Sequence, residues 1–80
     1  MDSVIQQVKE EAWKADLRYG NYASTHEAYG VLAEEVSELL AAIRANDMQA
    51  VRKEAIQVAS VAARLALCCD DQRFLNRSIP

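Results

Sequence analysis

Glycine, proline and cysteine are scarce in this chain, with two, one and two copies in 80 residues, and each scarcity excludes a class of explanation. Gly20 and Gly30 stand apart, so there is no glycine-rich loop to cradle phosphates. Cys68 and Cys69 are adjacent in a stretch of helical character, where neighbouring side chains diverge, and there is no third cysteine to bridge to. Both are expected to be reduced, half-buried packing residues. No apolar run approaches the roughly 18 residues that span a membrane, and no charged segment followed by an apolar run opens the chain. The expectation is a cytoplasmic protein with no membrane partner. Nine basic against twelve acidic residues leave a net charge of -3, and the basic ones are scattered, so the footprint of a nucleic-acid binder is missing too. Internal repeats and low-complexity tracts are also absent.

Apolar residues are abundant instead, at 51%, and they recur at helical spacing. Ile5, Val8, Ala12 and Ala15 form one stripe, with Ser3 and Gln6 as a capping box before it and Gly20 suited to a left-handed helix end. Ser24 and Glu27 repeat the capping signature ahead of a second periodic segment. Asn46-Asp47 signals a turn and a cap, and a third segment continues without glycine or proline to Cys69. The pattern predicts an all-α, three-helix protomer over 3–19, 25–44 and 47–69, the last two folding back as an antiparallel helix hairpin. Residues 1–80 are one domain, with 70–80 as a C-terminal tail or arm in which Phe74, Leu75 and Ile79 offer apolar surface. So short a chain has little core of its own. Self-association as a homodimer or homotetramer, completing a four-helix-bundle-like core, is therefore expected.

The most informative residues are acids. Glu34-Glu35-Val36-Ser37-Glu38 lies on the second segment and Glu54-Ala55-Ile56-Gln57 on the third. Glu38 and Glu54 are symmetric about Asn46, and so are Glu35 and Gln57, so a fold-back at that turn sets them opposite each other at matching heights. At roughly 100° per residue, Glu35 flanks an apolar arc of Ala28, Tyr29, Leu32, Val36, Leu39, Leu40 and Ile43, and Glu38 sits further out. Glu54 falls inside the stripe of Val51, Ala55, Val58, Val61, Ala62 and Leu65. An ionised carboxylate among apolar groups must stay protonated or be compensated. Facing carboxylates on a helical bundle are how such folds hold divalent cations, which makes Glu35, Glu38, Glu54 and Gln57 a candidate metal site. The structural alternative is Glu54 paired with Arg52, Lys53 or Arg64 of a neighbouring chain.

Other residues carry weaker expectations. Arg64 and Lys53 lie near Gln57 on the wheel and are candidates for touching phosphate, against a solvated or salt-bridging role. Trp13 and Tyr22 are candidates for stacking a nucleobase, against a place in the core or a dimer interface. His26, in the first turn of the second segment, reads as a surface residue.

From His26 to Cys69 the chain resembles the core of MazG-like proteins, the all-α nucleoside triphosphate pyrophosphohydrolases. Their pattern is Glu-Glu-x-x-Glu, a spacer, then Glu-x-x-Asp; here Glu34, Glu35 and Glu38 complete the first half, Glu54 opens the second, and Gln57 stands where the pattern ends in Asp. The Arg18-Tyr19-Gly20 ending of the first segment is also similar. The resemblance implies magnesium, or manganese, held by Glu35, Glu38 and Glu54, with Gln57 as a neutral oxygen donor. It implies hydrolysis of a nucleoside triphosphate between the α- and β-phosphates, giving the monophosphate and pyrophosphate, with Glu34 or Glu38 as the water's general base. The alternatives are a non-catalytic helical oligomer of the same family that serves as a binding or interaction module, and a protein-interaction module of toxin-antitoxin type.

Overall fold

The computed structural model describes residues 1–71 together with Phe74, and among these the chain is all-helical. Its three helices are α1 (Asp2–Tyr19), α2 (Thr25–Arg44) and α3 (Met48–Asp71). No helix among the described residues is long and apolar enough to cross a membrane. The expected roles of Leu75 and Ile79 lie outside the described residues.

Local chemistry sets the boundaries. Gly20 ends α1 at φ 73° and ψ -163°, a region that is nearly glycine's own, with its N–H donating to the Asp16 carbonyl at 2.9 Å. Ser24 caps α2: its Oγ accepts from the Glu27 N–H at 3.2 Å, while Glu27 reaches back to accept from the Ala23 N–H at 2.9 Å. At the far end of α2, Asn46 adopts φ 55°. Its N–H donates to the Ile43 carbonyl and that of Asp47 to the Ala42 carbonyl, the double closure of a Schellman motif. Asp47 then starts α3 by accepting from the Ala50 N–H at 3.1 Å.

Two expected details are corrected. Ser3 does not cap α1; the helix begins one residue earlier, at Asp2, with the Ile5 N–H donating to the Met1 carbonyl, and Ser3 Oγ accepts instead from Gln7 Nε2 at 3.3 Å. The earlier start places Asp2 in the first turn, where its charge suits the helix dipole. At the other end α3 runs two residues past Cys69, because the buried Cys68 and the packed Phe74 hold its last turns against the core.

The organising element is α3. Both α1 and α2 pack on it, and they do not pack on each other, so a groove remains between them with α3 as its floor. Tyr22, Ala28, Val61 and Cys68 form the buried cluster, flanked by Val31, Leu32, Leu65 and Phe74. Cys69, one position on from Cys68, is exposed, so the cysteine pair divides between core and solvent rather than sharing half-burial. The apolar arc of α2 also divides. Ala28 is fully buried, and Leu32 and Leu39 half-buried, whereas Tyr29, Val36, Leu40 and Ile43 are exposed. Those four recur at intervals of seven, four and three residues, a single row along one side of the helix.

Candidate metal centre

The acids of α2 and α3 converge. Glu35, Glu38 and Glu54 each present a carboxylate oxygen, and the three oxygens lie within 4.8 Å of one another. Helical spacing explains how. Glu35 and Glu38 are one turn apart on the same side of α2, and α3 brings Glu54 to their level. Glu35 and Glu54 are half-buried and Glu38 is exposed, so the cluster opens to solvent on one side.

Two of these three residues also carry an oxygen that is shielded from solvent and lacks any hydrogen-bond partner among the described residues: Oε2 of Glu35 and Oε2 of Glu54. Orphaned acceptors of this kind are rare, because each forgoes the hydration it had in the unfolded chain. Burial pushes the Glu35 carboxyl above the usual glutamate range, and the negative charges of Glu38, Glu54 and Glu34 push it further. Two unit charges that close repel by about 3 kcal/mol at an effective dielectric constant near 20. Bare carboxylates would not choose this arrangement. Three converging carboxylates, two of them with a partnerless buried oxygen, suit a hard divalent cation, which takes oxygen ligands and keeps some of its waters.

Beside the cluster lies a cavity of about 600 Å³. Glu34 and Glu35 line it from α2, Gln57, Ser60 and Arg64 from α3, and Tyr19, Asn21 and Tyr22 from the end of α1 and the loop that follows. It has one wall rich in oxygen acceptors and another carrying a buried cation.

Arg64 supplies that cation and is heavily committed. It is 5% exposed, with Nε donating to Asp16 Oδ1 at 2.9 Å, Nη1 to the Tyr22 hydroxyl at 3.2 Å and Nη2 to the Gly20 carbonyl at 2.8 Å. The guanidinium also stacks 4.5 Å from the centre of the Tyr22 ring. Three of its five N–H groups are thus used, which leaves two uncommitted. Tyr22 is a core residue that also lines the cavity, and its hydroxyl donates to the Val61 carbonyl at 3.4 Å. Burial raises the phenol above its usual range while Arg64 pulls the other way.

The remaining expected residues fall elsewhere. Lys53 is exposed and lines a separate recess of about 230 Å³ between α1 and α3, together with Gln7, Glu10, Glu11 and Arg52. Trp13 is 69% exposed and lines neither cavity. His26 is exposed, as expected. Gln57 lines both spaces, and its Nε2 donates to Glu11 Oε2 at 3.1 Å.

Asp16, Asn21 and Glu11 were missed from the sequence. Asp16 and Glu11 do flank the Val8-Ala12-Ala15 stripe on a helical wheel, so the signal was available for them; Asn21, in a loop, had none. Neither a protein-family model nor a curated protein nor a solved structure matches this chain.

Proposed function

We propose that this protein is a magnesium-dependent nucleoside triphosphate pyrophosphohydrolase of MazG-like type, which cleaves its substrate between the α- and β-phosphates. The observation that carries the reading is the convergence of Glu35, Glu38 and Glu54 with two buried, partnerless oxygens, beside a cavity of nucleotide-compatible size. An antiparallel α2–α3 pair supplies the ligands at matched heights, and Gln57 adds a neutral oxygen donor next to them. Magnesium, when bound, would neutralise phosphate charge and supply a coordinated, more acidic water. The chain's own side chains do the rest. Glu34, exposed on the cavity wall one residue from Glu35, would be one candidate for the general base, and Glu38 the other. The two uncommitted N–H groups of Arg64 offer donors to a phosphate, and the Tyr22 ring that Arg64 stacks on forms part of the wall for the rest of the nucleotide.

The active form in this proposal is a homo-oligomer. Tyr29, Val36, Leu40 and Ile43 form an exposed apolar row on α2, and Met48 and Leu67 of α3 are exposed as well. A second copy laid along the row would complete a four-helix core, which this chain, with no large, fully buried side chain among the described residues, lacks by itself. The same row supports the alternative, a non-catalytic interaction module. Product analysis separates the two readings. Incubated with Mg²⁺ and a panel of ribo- and deoxyribonucleoside triphosphates, the protein is expected to release pyrophosphate and the monophosphate from at least one of them, and Glu54→Gln is expected to abolish the release. Absence of pyrophosphate across the panel, or release that Glu54→Gln leaves unchanged, would overturn the enzymatic reading.

A further inference from the structure

Gln57 stands between two spaces. On one side is the cavity that it lines with Glu34 and Glu35, and on the other the small recess that it lines with Glu10 and Glu11. Its terminal amide has a donor end and an acceptor end pointing in different directions. Glu11 Oε2 lies 3.1 Å from the amide nitrogen, and a carboxylate can only accept, so the donor end is pinned to α1. The pin is itself braced: the other oxygen of Glu11 lies 3.8 Å from Lys14 Nζ, one turn along α1.

We propose that Glu11 is a positioning residue for the cation site: by holding Gln57 Nε2, it turns Gln57 Oε1 toward the carboxylates of Glu35 and Glu54. This rests on the cation reading above and extends it to α1, which contributes no carboxylate to the cluster. It also gives a reason for an amide at position 57. An aspartate there would have no donor to offer Glu11, and its charge would add to a crowded set of negative groups. The amide serves as donor on one side and neutral oxygen ligand on the other. Metal sites commonly fix a ligand's orientation through such an outer partner, and its loss typically weakens metal binding by about 10- to 100-fold.

The test compares Glu11→Ala with Glu11→Gln in the full chain, using Mn²⁺ as probe and measuring free ion by electron paramagnetic resonance. A glutamine at 11 can still accept from Gln57 Nε2; an alanine cannot. Expected are a Kd about tenfold weaker for Glu11→Ala and one within about twofold of wild type for Glu11→Gln. In metal-free protein, the Gln57 side-chain amide resonances in ¹⁵N-labelled samples should move in Glu11→Ala and stay close to their wild-type positions in Glu11→Gln. Circular dichroism at the working temperature confirms that each variant is folded. Equal weakening by both variants would mean that Glu11 acts through its charge, and unchanged binding in both that it does not act on the site; either result overturns the proposal and leaves the cation reading standing. A wild type that takes up no Mn²⁺ ends the cation reading and this proposal together.

Discussion

Glu35 and Glu54, 19 positions apart in the chain and on different helices, meet through carboxylate oxygens within 4.8 Å, and each has its Oε2 sealed from solvent without a partner among the described residues. Without a cation such a pair opposes folding. Glu35→Gln is therefore expected to raise the melting temperature of metal-free protein at pH 7. The sign follows from linkage. Glu35 has a raised carboxyl pKa in the folded state, so the folded chain holds its proton more tightly than the unfolded chain, and that contribution to stability is lost as pH rises through the folded value. The advantage of Glu35→Gln should thus be largest above that value and shrink as pH falls toward the ordinary glutamate value of 4.5. Thermal melts of both proteins across pH 4 to 8, in chelator, check this; a gap that widens on acidification would contradict it.

The same strain predicts a response to ions. Millimolar Mg²⁺ or Mn²⁺ should stabilise the wild type by mass action, about 2.7 kcal/mol when the ion is at a hundred times its Kd. Glu54→Gln should respond far less. Denaturant titrations with and without the ion give both numbers.

Arg64 is a structural tie whatever else it touches. It links Asp16, Gly20 and Tyr22 across the α1–α3 junction, and Arg64→Ala leaves an acid, a carbonyl and a hydroxyl without their donor. The expected loss is about 2–4 kcal/mol, read as the shift in urea midpoint with no nucleotide present. Arg64→Lys should recover only part of it, since one ammonium cannot reproduce a planar fork.

Gly20 allows a backbone effect to be isolated. A Cβ built there meets nothing within 4 Å, so Gly20→Ala should cost stability only through its dihedral angles, by about 1–3 kcal/mol. Gly30 also has open space around it but sits inside α2 at ordinary helical angles, and Gly30→Ala should stabilise by about 0.5–1 kcal/mol. Paired denaturant melts should give opposite signs.

The exposed row on α2 makes a prediction about assembly. Leu40→Lys or Ile43→Glu should yield a monomer by light scattering, while the wild type runs as a dimer or larger. Because both side chains are more than 40% exposed in the single chain, loss of secondary structure is not expected at concentrations where the monomer persists.

Local signals were readable except at the start of the first helix, where Ser3 with Gln6 marked a cap that the structure does not form. Ser24 with Glu27, Asn46 with Asp47, and Gly20 each mark a helix end by the hydrogen bonds or angles that they supply, Gly20 with its positive φ but at ψ -163° rather than in the expected left-handed helical region. The acidic cluster was legible for a related reason. A short turn fixes how α2 meets α3, so counting residues from Asn46 locates Glu38 against Glu54. The docking of α1 was not legible. Glu11 meets Gln57 across 46 positions and Asp16 meets Arg64 across 48, and no turn of fixed length ties those pairs together. Nor did periodicity tell which edge of a broad apolar arc faces the neighbour: Leu32 and Leu39 pack, while Val36 and Leu40, at the adjoining angle, stay bare.

Because α1 and α2 lean on α3 and leave one another alone, the two walls of the groove can vary independently. Substitutions of Ala15 or Tyr19 on α1 would reshape one wall of the cavity and leave the three carboxylates in place, and those of Glu34 on α2 would alter its charge without redrawing the opposite wall. The shape of one wall and the charge of the other are in this way set by separate helices, with α3 as the common floor to which Glu11 and Asp16 of α1 reach across.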